Sequence, residues 1–104
     1  MLVAFSIAPS GTGRADGSVS EAVAAAVQVV RDSGLPNRTD AMFTTIEGEW
    51  DECFDVVRRA TEAVAPFGSR ISLVLKADIR PGYEGELEAK VSRVEQALTK
   101  SNRG

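Results

Sequence analysis

A ferredoxin-like α+β sandwich is the fold class the sequence predicts: the order β-α-β-β-α-β with an additional C-terminal helix, around a four-stranded antiparallel sheet. Three observations lead there. Residues 2–8 and 70–80 carry apolar side chains at alternating positions, as half-buried strands do. Residues 19–30, 50–67 and 87–98 repeat them at helical spacing. Glycine or proline stands at each change of period. At 104 residues and 43% hydrophobic content, the chain reads as one domain, 1–104, with residues 99–104 as a frayed tail.

The first strand places Val3, Phe5 and Ile7 on one face and Leu2, Ala4, Ser6 and Ala8 on the other. Pro9 to Gly17 holds three glycines and reads as a loop. Ser18 and Glu21 have the spacing of a capping box, and Val19, Ala22, Val23, Ala26, Val27 and Val30 form a narrow stripe of small residues behind it. Gly34 and Pro36 end that helix. Residues 37–47 predict a short strand, a tight bend and a second short strand. The next helix carries Trp50, Cys53, Phe54, Val57, Ala60, Val64 and Phe67 on one face, with Trp50 anchoring its start in the core. Glu49, Asp51 and Glu52 stand where the helix dipole favours negative charge. Ile71, Leu73, Leu75, Ala77 and Ile79 share one side of the last strand, expected at the centre of the sheet. After Pro81-Gly82, Leu87, Val91, Val94 and Leu98 make an apolar seam, supported by a Glu86–Lys90 pair at i,i+4.

Composition narrows the function. A net charge of −3 with scattered lysines and arginines leaves no footprint for nucleic acid. No segment has the length and apolarity of a membrane span or a signal sequence. One cysteine, Cys53, rules out an intrachain disulfide and fits a reducing, cytoplasmic compartment as a small buried residue. The absence of histidine removes the usual general base and the commonest metal ligand. No catalytic residue, metal ligand or cofactor is therefore expected, and the chain reads as a non-enzyme. Gly11-Thr12-Gly13 offers a weak anion-binding pattern without the spacing of a nucleotide loop.

The segment from Met42 to Asp51 gathers the most chemistry. If Thr44 and Ile46 face the helices, then Phe43, Thr45 and Glu47 face the opposite side and share it with Ser6. A carboxylate and two hydroxyls beside an aromatic ring suit a neutral or cationic heteroaromatic ligand. The alternative is that Glu47 merely ends an edge strand and Thr45 fills a sheet position by β-propensity. In a ferredoxin-like sandwich the second sheet face is bare. Here it carries Leu2, Ala4, Ala8 and Val74, which predicts a contact with another subunit through that face or the final seam.

The first strand with Pro9-Ser10-Gly11-Thr12-Gly13, the run Thr44-Thr45-Ile46-Glu47-Gly48-Glu49-Trp50-Asp51 and the helix Lys90-Val91-Ser92-Arg93-Val94-Glu95 resemble the small thiamine-binding protein family. The resemblance spans nearly the whole chain and is most specific from Thr44 or Thr45 through Trp50. It implies a cytoplasmic homotetramer, a dimer of dimers, that binds thiamine or its hydroxymethylpyrimidine moiety without catalysis. The implied ligand contacts are Ser6, Thr45 and Glu47, with Thr12 and Trp50 behind them and Phe43 or Phe5 as a stacking face. The pocket is expected on the open sheet face near a subunit interface. The loop Arg14-Ala15-Asp16-Gly17 is longer than the family pattern suggests. The competing reading is a structural or regulatory oligomerisation module without a small-molecule ligand.

Overall fold

The computed structural model describes residues 1–11 and 19–103. Its elements are β1 (Leu2–Ser10), α1 (Val19–Asp32), β2 (Asn37–Thr39), β3 (Thr44–Glu47), α2 (Trp50–Val64), β4 (Arg70–Asp78) and α3 (Glu86–Arg103), with one 3₁₀ turn, Ala65–Phe67, between α2 and β4. The expected order is present. The four strands form one antiparallel sheet in the spatial order β2-β3-β1-β4, the ferredoxin-like arrangement.

Register fixes which side chains meet. Val3 lies opposite Ile46 and Phe5 opposite Thr44, so these four share the face that the helices cover. All four are buried. Ala22, Ala26 and Val30 of α1, and Cys53, Val56, Val57, Ala60 and Val64 of α2, close the core over them. Small residues on α1 let the helix approach the sheet closely. Gly34, at φ 79°, takes the left-handed conformation that ends α1 at little steric cost. At the start of α2 the Glu52 carboxylate accepts from the Glu49 backbone N–H at 3.0 Å, which satisfies one orphan donor of the helix terminus. Gly68 packs against β1 so tightly that a Cβ there would lie 2.5 Å from the Ser10 carbonyl oxygen.

Four expectations change. β4 is an edge strand: it runs along β1 for all nine of its residues and has no partner on its other side among the described residues. Trp50 is 55% exposed and stacks on Phe54 with ring centroids 5.4 Å apart. The buried face of α2 instead runs through Cys53, Val56, Val57, Ala60 and Val64, leaving the indole on the flank. Val19 and Val23 of the predicted α1 stripe are likewise exposed. Finally, Glu86 pairs with Arg93 at 2.6 Å and Lys90 with Asp78, rather than with each other. The Ser18 capping box, Thr12 and the loop 14–17 lie outside the described residues. The α3 helix continues through Arg103.

The second sheet face is only partly bare. Leu2, Ala4, Thr45, Glu47, Lys76 and Asp78 lie on it by register, and the first turns of α3 sit over its Glu47 end.

Candidate functional site

Apart from Trp50 and Thr12, the residues singled out from the sequence fall in two regions, at opposite ends of β3. The first is a cleft of about 220 Å³ at the β2–β3 turn, lined by β1 from Phe5 to Ala8, by Val19, Val23, Ala26 and Val27 of α1, and by Thr39 to Thr44. Its conformation is set locally. The Asp40 Oδ1 atom accepts from the backbone N–H groups of Met42 (2.8 Å) and Phe43 (3.0 Å), and the Asp40 N–H donates to the Phe43 carbonyl (3.0 Å). This Asx-type turn needs an acceptor on a short side chain, which aspartate supplies. The N–H bonds from Phe43 and then Met42 stabilise the charged form and hold the Asp40 carboxyl below its ordinary value. Behind the turn, the hydroxyls of Thr39 and Thr44 lie 3.1 Å apart, and Thr44 is buried. The cleft thus combines apolar walls, a hydroxyl pair of which only Thr44 is buried, and a carboxylate at its rim.

The second region is the open sheet face. Thr45 lies opposite Ala4, and Glu47 opposite Leu2, as the strand-phase argument expects. Ser6 shares this face by alternation, two residues beyond Ala4 and opposite Val74. Glu47 is only 8% exposed. Its Oε2 accepts from the Glu86 backbone N–H at 2.9 Å and its Oε1 from that of Leu87 at 3.1 Å, so both carboxylate oxygens hold the start of α3. The space beside it, bounded by Met1, Leu2, Asp78, Arg80, Tyr83, Glu86 and Lys90, is about 10 Å³, room for roughly one water.

The predicted residues therefore do not converge. Phe43 precedes β3 and lines the turn cleft together with residues of α1, instead of joining Thr45 and Glu47 on the open face. Ser6 borders the cleft through its strand, while its side chain belongs to the open face. Trp50 lines a separate cleft of about 240 Å³ with Glu49, Ile79, Arg80 and Tyr83, where the Arg80 guanidinium lies 3.6 Å from the Tyr83 ring centroid. Sequence reasoning missed Thr39, Asp40 and Thr44 at the turn cleft. The signal available was Asp40 three residues before Phe43, an Asx-turn spacing, with a threonine on either side of the bend.

Among the described residues no group of three Cys, Asp or Glu side chains is arranged to hold a metal ion, and no helix is long and apolar enough to cross a membrane. Fold and clefts together define a small ferredoxin-like α+β domain with surface clefts of about 220 and 240 Å³. The chain belongs to the thiamine-binding protein family, whose model matches residues 3–95. It is 54% identical over 99 residues to the UPF0045 protein Mb1933 of Mycobacterium bovis, covering 94% of each chain. The crystal structure of the hypothetical protein MJ1052 from Methanocaldococcus jannaschii is similar, with a TM-score of 0.78 and 31% identity over 90% of this chain and 94% of that one. A candidate thiamine biosynthesis/salvage protein from Thermotoga maritima, TM0486, superposes with a TM-score of 0.73 at 26% identity, covering 89% of this chain and 96% of that one.

Proposed function

We propose that this protein binds thiamine or its hydroxymethylpyrimidine moiety without catalysing a reaction on it, with the pyrimidine seated in the β2–β3 turn cleft. The observation that carries this reading is the combination, within about 220 Å³, of Phe5, Phe43 and Val23 as apolar walls with the Thr39–Thr44 hydroxyl pair and the Asp40 carboxylate. An aminopyrimidine is planar and apolar on its faces and carries donors and acceptors on its edge, so it needs walls of this kind and a few placed polar groups. The volume is below the roughly 300–1,000 Å³ of clefts that bury a whole drug-sized ligand, which fits one ring held inside and the thiazolium projecting towards the rim. There the ionised Asp40 offsets the cationic charge. The open face is less suited, because both Glu47 oxygens already accept backbone N–H groups and the adjoining space admits little more than a water.

Calorimetry with thiamine and with hydroxymethylpyrimidine tests the reading. We expect saturable heat for both, weakened about tenfold by Phe43→Ala, which removes an aromatic wall of the cleft, and by Thr44→Val, which removes one hydroxyl of the pair. Folded wild-type protein that gives no heat at high micromolar thiamine overturns it. Affinity lost in Thr45→Val but kept in Thr44→Val would move the ligand to the open face.

The second reading, an oligomerisation module, is favoured by one specific observation: Val91, Val94 and Leu98 of α3 are all about half exposed, as are Leu73 and Val74 on edge strand β4. The two readings are compatible. We propose self-association, in line with the family's expected homotetramer, as the state in which the ligand is bound.

A further inference from the structure

α3 is joined to the rest of the molecule in an unusual way. Its capping position is Gly85, at φ 68°, whose carbonyl accepts the first intrahelical bond from Ala89 at 3.0 Å. Glycine has no side chain to accept from the next two N–H groups. Glu47, 39 residues earlier in the chain, does so with one oxygen each, and its charge lies where the helix dipole is positive. The remaining side-chain bonds are also polar, beside the half-buried Leu87 and Ala89. Lys90 pairs with Asp78 and Arg38 with Glu88 at 2.5 Å, all four partly exposed, while Arg93 folds back onto the buried Glu86. From Val91 through Lys100 every side chain of the helix is exposed. Among the described residues, no α3 side chain belongs to the hydrophobic core.

We infer that Glu47 is a positioning residue: its carboxylate docks α3 on the open sheet face as a polar-held arm that opens independently of the core, and it thereby sets the direction in which the Val91–Val94–Leu98 seam is presented. The charged groups around the contact divide the work. Asp78–Lys90 and Arg38–Glu88 are exposed and screened by salt, whereas the Glu47 bonds are enclosed and little screened. This inference does not rest on the turn-cleft reading, and it requires only that no ligand displaces the Glu47 bonds.

Residue-resolved hydrogen exchange on the full chain tests it. In the wild type the amides of Glu86, Leu87 and the following turns should exchange through a local opening, faster than the amides of β1 and α2, which require global unfolding. Glu47→Gln should speed exchange at Glu86 and Leu87 about tenfold or more, the loss expected for hydrogen bonds to a charged acceptor, and leave β1 and α2 at wild-type rates. In 1 M salt the wild-type Glu86 and Leu87 amides should stay protected while the double variant Arg38→Gln/Lys90→Gln shows no further salt response. Unchanged exchange in Glu47→Gln overturns the assignment. So does wild-type exchange in which α3 opens only with the core, a result that needs no variant to fold. Release of these two amides on adding thiamine would make Glu47 a ligand contact and also count against it.

Discussion

Single residues show where pattern suffices and where it does not. The phase of β3 was legible only as a choice between the two that period-two alternation leaves, and the register takes the one that keeps Ile46 in the core with Val3. Trp50 was not. It stands at the first turn of α2, where a small rotation of the apolar stripe moves a side chain from core to flank, and Val56 takes the buried position instead. Glu47 was singled out as a ligand contact, whereas the partners it has here, the N–H groups of Glu86 and Leu87, belong to a segment that no local spacing connects to it. Two predictions belong here. Gly68→Ala should destabilise the fold by roughly 1–3 kcal/mol, read as a lower denaturation midpoint, because the added Cβ would meet backbone atoms of Ser10 rather than a side chain that can move aside. Asp40 gives a pH signature. Its folded pKa lies below the ordinary 3.8, so its stabilising effect on the turn is complete above that value and fades only as pH falls through the lower folded value. Amide chemical shifts of Met42 and Phe43 should therefore stay constant down to about pH 4 and move below it; a midpoint near pH 5 would contradict the bonding described.

At the scale of elements, every helix and strand expected from periodicity is present, and the differences concern neighbours. An alternating apolar run such as Ile71 to Ile79 records that one face is covered, whereas the number of strands beside it leaves no trace in that alternation. β4 is consequently an edge strand with the same pattern a central one would carry. The candidate site follows the same logic. Its walls come from β1, α1 and the β2–β3 turn, and only the turn is local in sequence, so Phe43 was expected on the open face and its sharing of a cleft with Val23 and Val27 could not be read in advance. Asp40 and Thr44 were hidden for another reason: a loop aspartate and a strand threonine each have an ordinary explanation, and the Thr39–Thr44 hydroxyl pair exists only once the turn is closed.

The molecule as a whole is elongated. Its radius of gyration is 16.3 Å and its longest extent 56 Å, whereas a compact chain of this length would have a radius of about 13 Å. α3, 18 residues long, is a rod of about 27 Å whose side chains from Val91 to Lys100 are all exposed. Its half-exposed Val91, Val94 and Leu98 are the surface on which assembly should depend. Native mass spectrometry should find a tetramer, and Val94→Asp with Leu98→Asp should reduce it to smaller species whose folded core is retained. A wild-type monomer at micromolar concentration would end the oligomeric reading. The long-range cap also orders events in time. Until β3 has paired with β1, no carboxylate stands ready for the first N–H groups of α3, and a helix short of apolar support gains little by forming earlier. α3 should thus be the last element to consolidate on folding and the first to leave on unfolding, so that substitutions along it alter the unfolding rate while leaving the folding rate unchanged.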